Sequence, residues 1–274
     1  ENDFIKVDFS TKGGKITNVT LRDERYTRYA DEERNEQVEL KQPSAEVFGV
    51  ELKSVNDNST FLSDEFVFNI EQSKEEQADV VRMILTLSDN ATLSYIYRIY
   101  HTGEPSRDYV IDFSIEQQGL TNHLSSKESL KLSWISRSNK NERSYQNENI
   151  ATNILYFEDG DVEELSASGE KESLENISWI AYKQQYFTSA FISDGGLSAT
   201  AEFKNSTKEG ADFMKEFKST ITLPLNADQN LYNYAFYYGP NDQAIMEDVE
   251  FGGKDEQIDE IIPFGRWLIR EKHR

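Results

Sequence analysis

Alternation of apolar residues with a period of two is the feature of this sequence that most restricts its fold. Val81, Met83, Leu85 and Leu87 occupy alternate positions, and the same spacing recurs over residues 93–99, 111–115 and 130–134. Successive side chains of a β-strand point to opposite faces, so this spacing places one face in a core and the other toward water. The pattern predicts half-buried strands in several parts of the chain.

Further strands are predicted over residues 4–9, 15–21, 46–53, 179–184, 187–193, 198–203, 217–225 and 231–238. Turn signals separate several of these segments, among them Gly13-Gly14, Asp159-Gly160 and Asp194-Gly195-Gly196. Strands in this number and at this spacing favour an all-β fold, a large antiparallel β-sandwich.

Helical patterns are restricted to short connections and to the end of the chain. They cover residues 141–149, 242–250 and 257–262. The second follows Pro240 and begins at Asp242, whose side chain is suited to an N-cap. We therefore predict a sandwich domain over residues 1–255 and a C-terminal helical, membrane-proximal segment over 256–274.

The last eleven residues, here called the basic tail (264–274), differ from the rest of the chain. Phe264, Trp267 and Leu268 follow the spacing i, i+3 and i+4, which places them on one face of a helix. The basic tail also contains four cations, which are Arg266, Arg270, Lys272 and Arg274. The preceding residues 242–260 carry eight carboxylates and a single lysine, so the charge changes sign near Pro263.

A short basic amphipathic helix with Trp on its apolar side has the composition of a membrane-surface segment. The residues that we predict to lie at the membrane interface are Phe264, Arg266, Trp267, Leu268, Ile269 and Arg270. The alternative is a helix docked on the sandwich, with its aromatic face in the core.

Composition excludes several functions. The net charge of −21 argues against nucleic-acid binding, which depends on Lys and Arg neutralising phosphates. The absence of Cys excludes disulfides, a thiol nucleophile and Cys-based metal sites. No apolar run reaches the roughly 18 to 20 residues that cross a bilayer. The chain begins without Met and stops within a helical pattern, as an excised domain or processed fragment would.

Catalytic motifs are missing from the sequence. Its three histidines, His101, His123 and His273, have no metal-binding spacing, and no nucleophile elbow or phosphate loop is present. Paired carboxylates are frequent, but a chain with 50 acidic residues forms such pairs by chance. We expect no catalytic residue, no metal site and no cofactor, and we expect neither His101 nor His123 to pair with a carboxylate as an acid–base couple.

An aromatic segment over residues 179–196 reads W-I-A-Y-K-Q-Q-Y-F-T-S-A-F-I-S-D-G-G. Two β-like runs predict a hairpin, and we interpret Trp179, Tyr186 and Phe187 as structural residues of it. The alternative is an exposed recognition surface for a partner.

This segment resembles the W-x-A-x-x-Q-Q-Y-F-x-x-A-x-I stretch of the large periplasmic domain of the YidC family of bacterial membrane protein insertases. Three further matches occur in the same order as in that family. They are the T-K-G-G turn at residues 11–14, the G-P motif at 239–240, and F-G-R-W-L-I at 264–269. The resemblance covers essentially the whole chain.

The resemblance implies a β-supersandwich similar to the galactose mutarotase fold, with short C-terminal α-helices. It implies a position on the periplasmic side of the bacterial inner membrane, between two transmembrane helices that this chain does not contain. The parent protein would insert, fold and assemble membrane proteins, alone or with the Sec translocon. Its implied partners are the inner membrane, Sec translocon subunits and nascent membrane proteins.

Two functional hypotheses follow. The first is a non-catalytic periplasmic domain of an insertase and chaperone. The second is a carbohydrate-binding or aldose-epimerase-like sandwich, which the aromatic content of 12% and the implied mutarotase-like architecture suggest. The basic tail and the resemblance favour the first.

Overall fold

The computed structural model describes residues 1–29, 36–124, 126, 128–206, 213–226, 229–255 and 257–262. Its strands are β1 (Ile5–Ser10), β2 (Lys15–Leu21), β3 (Val47–Lys53), β4 (Thr60–Leu62), β5 (Asn69–Lys74), β6 (Ala78–Ser88), β7 (Ala91–Tyr100), β8 (Val110–Gln118), β9 (Ser129–Asn139), β10 (Asn153–Glu158), β11 (Asp161–Glu164), β12 (Glu172–Lys183), β13 (Phe187–Asn205), β14 (Phe213–Pro224), β15 (Leu231–Pro240), β16 (Glu250–Phe251) and β17 (Lys254–Asp255). Its α-helices are α1 (Pro105–Asp108), α2 (Tyr145–Ala151) and α3 (Gln243–Met246), and its 3₁₀ helices are η1 (Pro43–Ala45), η2 (Ser63–Glu65), η3 (Leu120–His123) and η4 (Ile258–Ile261).

One antiparallel sheet of 13 strands dominates the described part of the chain. Its main path runs β4-β3-β9-β14-β13-β15-β8-β7-β6-β5, and β12, β10 and β11 extend from β13 as a branch. The strand pairs β1–β2 and β16–β17 form two small separate sheets. The prediction of an all-β antiparallel sandwich is confirmed.

The sheet closes on itself because strands far apart in its order pack face to face. Phe48 of β3 contacts Tyr95 of β7 at a ring distance of 5.8 Å and Phe113 of β8 at 5.4 Å. Trp134 of β9 likewise contacts Phe236 of β15 at 6.0 Å. These contacts bring the apolar faces of the two halves of the sheet together and exclude water from both.

Phe113 lies at the centre of the resulting aromatic core. Its ring centroid lies between 5.0 and 6.4 Å from those of Phe48, Tyr95, Tyr97, Phe191, Tyr234 and Phe236. Burial of each large side chain contributes about 1.5 to 3 kcal/mol, and tilted ring pairs add about 0.5 to 1.5 kcal/mol. The alternating residues predicted from the sequence supply this core.

The segment between β4 and β5 joins the two edges of the sheet. Ser63 and Tyr95 share a hydroxyl hydrogen bond of 2.8 Å, and the Val50 N–H donates to both hydroxyl oxygens, at 2.9 and 3.1 Å. Asp64 accepts a hydrogen bond from the Phe48 N–H at 2.9 Å and pairs with the Lys15 ammonium at 2.6 Å. This segment therefore fixes β3 against β7 and the turn after β1.

The Gly-Gly turn between β1 and β2 packs against the same segment. Gly13 and Gly14 both have positive φ angles, of 83° and 61°. A Cβ atom at Gly13 would lie 2.8 Å from Asp64 Oδ1, and one at Gly14 would lie 2.8 Å from Phe68 Cδ1. Only glycine satisfies both the conformation and the close approach here.

The structure corrects the predicted turn at Asp194-Gly195-Gly196, because β13 continues through it. Residues 187–192 pair with β15, and residues 198–205 pair with β14. The register with β12 shifts between Ile177 and Trp179, where the four residues 193–196 of β13 lie opposite a single residue of β12. Gly196, at φ 75°, thus belongs to a bulge at which the strand changes partners.

The apolar pattern did not predict β4, β5, β16, β17 or the β10–β11 hairpin. The turn at Asp159-Gly160, which connects β10 to β11, was predicted. Most of these strands are short, polar or exposed, so their apolar alternation is weak, whereas β10 is buried and has a continuous apolar run without alternation. The predicted helices are also shorter in the structure: residues 242–250 contain only α3, and residues 257–262 contain the 3₁₀ helix η4.

A buried ion pair links the loop before β3 to the sheet. The Lys41 ammonium lies 2.7 Å from Glu46 Oε2, and both side chains are at most 3% exposed. Ser136 of β9 donates to the other oxygen of Glu46 at 2.5 Å. Burial alone lowers the pKa of Lys41, but the Glu46 carboxylate and the Tyr238 side chain together outweigh it, so the pKa of Lys41 is raised.

Candidate functional site

The turn between β12 and β13 forms a polar corner in which separate parts of the chain meet. Gln184 is 3% exposed, accepts a hydrogen bond from Asn141 Nδ2 at 2.9 Å and donates to the Leu40 carbonyl at 3.2 Å. Asn241, which follows the Gly-Pro motif, donates from Nδ2 to the Gln184 carbonyl at 3.0 Å. Thr188 Oγ1 donates to Asn241 Oδ1 at 2.6 Å. The Q-Q-Y-F and G-P motifs are therefore bonded to each other.

A cleft of about 480 Å³ opens beside this corner. It is lined by Arg25, Tyr26, Thr27, Tyr29, Glu142, Tyr186, Phe187, Pro240, Asn241 and Asp242. Aromatic rings form its walls: Tyr26 packs edge-on against Phe187 at 5.8 Å, and Tyr186 is 52% exposed. Aromatic walls with a few polar groups are typical of binding clefts.

Charge in this cleft comes mainly from carboxylates. Burial raises the pKa of Glu142 and of Tyr26, which shows that both side chains are partly removed from water. The cation at the rim, Arg25, pairs with Asp23 at 2.6 Å, and its hydrogen bond lowers the pKa of Asp23. The cleft can therefore accept a cationic or aromatic side chain of a partner.

Glu148 of α2 supports the loop that contributes Glu142. Its carboxylate accepts hydrogen bonds from the Asn141 N–H at 2.8 Å and the Glu142 N–H at 3.2 Å. Burial raises the pKa of Glu148 to about 7, and these two hydrogen bonds oppose the shift without cancelling it. The loop is thus held by a group that titrates near neutral pH.

Three short helices, α1, α3 and η4, form a contiguous helical layer. α1 contacts α3, and α3 contacts η4 through a hydrogen bond of 2.9 Å from Gln243 Nε2 to Asp259 Oδ2. Ile258 and Ile261 of η4 are buried in the core. Asn2 fixes the start of the chain to α1 by donating to the Asp108 carbonyl at 2.7 Å. The described chain is therefore anchored up to Ile262.

The predicted hairpin residues occupy different environments. Trp179 of β12 is fully buried and stacks on Phe157 at 5.9 Å. Phe187, at the start of β13, is also buried, whereas Tyr186 lies on the surface in the turn. The predicted interface residues Phe264, Arg266, Trp267, Leu268, Ile269 and Arg270 lie outside the described residues.

One expectation about histidine was wrong. His101 Nε2 lies 3.0 Å from Asp79 Oδ2, so this histidine does pair with a carboxylate. Both side chains are about one-third exposed, and Lys74 also contacts Asp79 at 3.3 Å. Among the described residues, no group of three or more His, Asp or Glu side chains is arranged to hold a metal ion.

Sequence reasoning missed the residues that complete the cleft, namely Tyr26, Tyr29, Glu142 and Asp242. They come from three segments separated by at least 100 positions, and only the fold brings them together. Proximity to the G-P motif was the one available signal, and it pointed to Asp242 alone.

Comparison with known protein families covers almost the whole chain. The model of the YidC periplasmic domain family matches residues 1–270. The chain belongs to the YidC periplasmic domain family. The family motifs at residues 184–187 and 239–240 are those that meet in the polar corner.

Curated relatives include two proteins named membrane protein insertase YidC, from Azobacteroides pseudotrichonymphae genomovar. CFP2 and Parabacteroides distasonis. They are 26% and 27% identical to 98% of this chain, which spans 43% and 42% of their lengths. The chain thus covers less than half of these relatives. No helix among the described residues is both long enough and apolar enough to cross a membrane.

Similarity in fold extends to solved structures. The alpha-N-acetylgalactosaminidase NagBb from Bifidobacterium bifidum, in complex with GalNAc, matches 90% of this chain and 37% of its own, with a TM-score of 0.52 and 8% identity. At this identity the similarity concerns the fold alone.

Truncation of Trp179 tests whether the hairpin is structural. We expect Trp179→Ala to lower the free energy of unfolding by about 3 to 5 kcal/mol, because it leaves a cavity beside Phe157. Tyr186→Ala, at the surface in the turn after β12, is the control and should change stability by about 0.5 kcal/mol or less. Urea denaturation measures both. A Trp179→Ala protein as stable as the control would contradict a structural role.

Glu148 should make stability fall as the pH rises. Its pKa is about 7 in the folded state and 4.5 when unperturbed, so the folded protein binds the proton more tightly. The stabilisation from protonation is complete below about pH 4.5 and is lost as the pH rises through about 7. The loss is on the order of 3 to 4 kcal/mol, at about 1.4 kcal/mol per pKa unit.

The measurement is the free energy of unfolding in urea at pH 5, 6, 7 and 8, for wild type and Glu148→Gln. We expect the variant, which cannot ionise, to show a smaller decrease over this range. The contribution of Glu142 remains in both proteins and cancels in the comparison. Identical pH profiles would exclude Glu148 as the titrating group.

Proposed function

We propose that this chain is the periplasmic domain of a bacterial inner-membrane protein insertase and that it has no catalytic site of its own. The match of the family model to residues 1–270 carries this proposal. Under this proposal, the domain helps the parent protein to insert, fold and assemble inner-membrane proteins, alone or with the Sec translocon. Its partners are nascent membrane proteins, Sec translocon subunits and the membrane that flanking transmembrane helices would cross.

The composition of the aromatic cleft around Tyr186 supports a non-catalytic role over sugar epimerisation. An epimerase of this kind needs a general acid and a general base at the substrate, commonly a His with a carboxylate. The described residues that line this cleft include carboxylates but no histidine. The pair of His101 and Asp79, at 3.0 Å, lies outside this cleft, and Lys74 also contacts the Asp79 carboxylate.

We further propose that residues 256–274 connect the sandwich to the membrane. The position of η4 supports this connection, because Ile258 and Ile261 are buried in the core shortly before the basic tail begins. The tail would then set the angle of the domain against the bilayer. The cleft, which lies at the start of α3, would face partners that approach along the membrane.

The orientation can be measured with single-cysteine probes in the longer membrane-anchored protein, after replacement of any cysteines outside this Cys-free domain. Glu247→Cys places a probe beside α3, and Asp89→Cys places one in the exposed β6–β7 turn. The β6–β7 turn lies beside the end of β8 that is farther from α1. Because β8 has nine residues, this turn is about 30 Å from α1. We expect stronger energy transfer to a bilayer-plane acceptor from position 247. Equal transfer would contradict this orientation.

The insertase role itself requires an insertion assay. Proteoliposomes with the full-length protein and with a version lacking residues 1–262 would be compared for insertion of single-span and multi-span clients. We expect the deletion to reduce insertion or assembly of the multi-span client more strongly. If sugar anomers equilibrate faster with the isolated domain than with a heat-denatured sample, in polarimetry, the epimerase alternative replaces this proposal.

The basic tail generates a prediction of its own. Burial of Phe264, Trp267 and Leu268 would contribute about 1.5 to 3 kcal/mol each, whereas a cation near an anionic surface adds about 1 kcal/mol. The aromatic face should therefore dominate binding. The charge of −21 opposes adsorption, so we expect weak binding by the isolated domain.

Co-sedimentation with anionic vesicles at low salt provides the test. We expect Phe264→Ser/Trp267→Ser to abolish partitioning and Arg266→Gln/Arg270→Gln to weaken it. Equal partitioning of both variants and wild type would favour the alternative, in which the aromatic face of the tail packs on the sandwich.

A further inference from the structure

The outermost strand of the sheet, β5, has an open edge. Among the described strands it pairs only with β6, and all six of its residues are exposed. Its register with β6 is unbroken from Asn69↔Ile84 to Lys74↔Asp79. Natural edge strands are usually protected by a bulge, a proline, a covering loop or charged side chains. β5 contains no proline and its unbroken register includes no bulge, so its charged residues, Glu71 and Lys74, are the protections of this kind within the strand.

The backbone groups along this open edge can be identified from their alternation. Just before β5, the Phe68 N–H donates to the Thr11 carbonyl and the Phe66 carbonyl accepts from the Gly13 N–H, both at 2.8 Å. Groups two residues apart in a strand point to the same side. The N–H and C=O groups of Ile70, Gln72 and Lys74 therefore face away from β6. The described residues supply no backbone partner for them.

The same edge already accepts an antiparallel partner at its beginning. Lys12 and Val67 form an antiparallel bridge, which places the β1–β2 turn alongside this edge. Beyond this bridge β1 pairs, among the described strands, only with β2 and not with β5. The bridge therefore shows the antiparallel direction in which a further strand would pair with this edge.

Clefts flank β5 on both faces of the sheet. The inner cleft has an apolar floor of Val7, Phe9, Val81 and Ile99. The outer cleft, of about 520 Å³, is lined on its polar side by Glu71, Glu75, Arg82 and Arg98. A strand added at the edge would direct alternate side chains into these two clefts.

Charge distinguishes the two clefts. In the outer cleft, Arg98 pairs with Glu75 at 3.2 Å and Arg82 pairs with Glu116. Glu71 has no salt bridge within the described part of the chain, so its carboxylate is available to a cation. The inner cleft favours an apolar side chain, and the outer cleft favours Lys or Arg.

We propose that the open edge of β5 binds an extended segment of another polypeptide by strand addition, with an apolar side chain in the inner cleft and a neighbouring cationic side chain at Glu71. Main-chain hydrogen bonds provide affinity in this mode, and pockets for alternate side chains provide specificity. A second copy of this chain is a poor occupant, because its β5 would bring another Glu71 and its net charge is also −21. The proposal rests on the geometry of β5 and not on the proposed membrane anchorage.

The first experiment removes one outward-facing donor. Gln72→Pro deletes the N–H that faces away from β6 and leaves the ladder to β6 intact. Gln72→Ala is the matched control, since it removes the same side chain and keeps the N–H. The probe is a fluorescein-labelled ten-residue peptide of alternating Val and Lys with blocked ends. Fluorescence anisotropy should show at least tenfold weaker binding to Gln72→Pro and at most a twofold change for Gln72→Ala. Equal binding by both variants overturns the proposal.

A second probe keeps the test decisive if Gln72→Pro does not fold. The same peptide with N-methyl groups on alternate residues keeps its charges but loses the donors of one edge. We expect it not to bind wild type. Equal binding of the two peptides would show simple attraction to an acidic surface and would overturn the proposal.

Charge and location are tested separately. Glu71→Gln should weaken binding several-fold, whereas Asp89→Asn, which removes a charge from the exposed β6–β7 turn, should not.

Hydrogen exchange should slow at the amides of Ile70, Gln72 and Lys74 when the peptide is bound. Protection elsewhere in place of these amides would overturn the assignment. Sedimentation of the protein without peptide should show a monomer. A dimer that dissociates in the Gln72→Pro variant would show that a second copy of the chain occupies the edge, and this would overturn our choice of partner.

Discussion

The structure depends on the closure of one long sheet upon its own apolar face. At the two ends of the sheet order, β5 is polar and exposed and β4 has only three residues, but Phe48 of β3 packs on Tyr95 of β7 and Phe113 of β8. Without this contact, the alternating residues of both halves would face water, at a cost of about 25 cal/mol for each Å² of apolar surface. Closure requires polar groups at the junction, because backbone donors of β3 become buried there. The side chains of Ser63, Asp64 and Tyr95 accept hydrogen bonds from these backbone N–H groups.

Closure also determines where the chain can bind partners. Side chains inside the sandwich are used for packing, so the polar corner at Gln184, the cleft beside it and the open edge of β5 are all peripheral. The corner is rigid because Gln184 and Asn241 have partners in several segments. The edge of β5 is open because the β1–β2 turn covers only its beginning. The proposed non-catalytic function would use these surfaces on a fixed framework.

Much of the fold was accessible from the sequence, because strands that face a core on one side repeat their apolar residues every two positions. The alternation around Met83, Tyr95 and Phe113 predicted β6, β7 and β8 within a few residues. The short strands β4, β5 and β11 were missed, since exposed edge strands carry no such alternation. The Asp194-Gly195-Gly196 signal was misinterpreted, because glycine permits a bulge within a strand as readily as a turn between two strands.

The sequence by itself determined the all-β class, the absence of thiol chemistry and the membership of the family, because periodicity, composition and local motifs are properties of neighbouring residues. Only the tertiary structure decided which motifs meet. It placed Gln184 against Asn241, paired His101 with Asp79 and brought Tyr26 and Glu142 to one cleft. These contacts join residues separated by more than 20 positions, and in the case of Tyr26 and Glu142 by more than 100. Their proximity follows from strand order and sheet closure, which local sequence patterns do not specify.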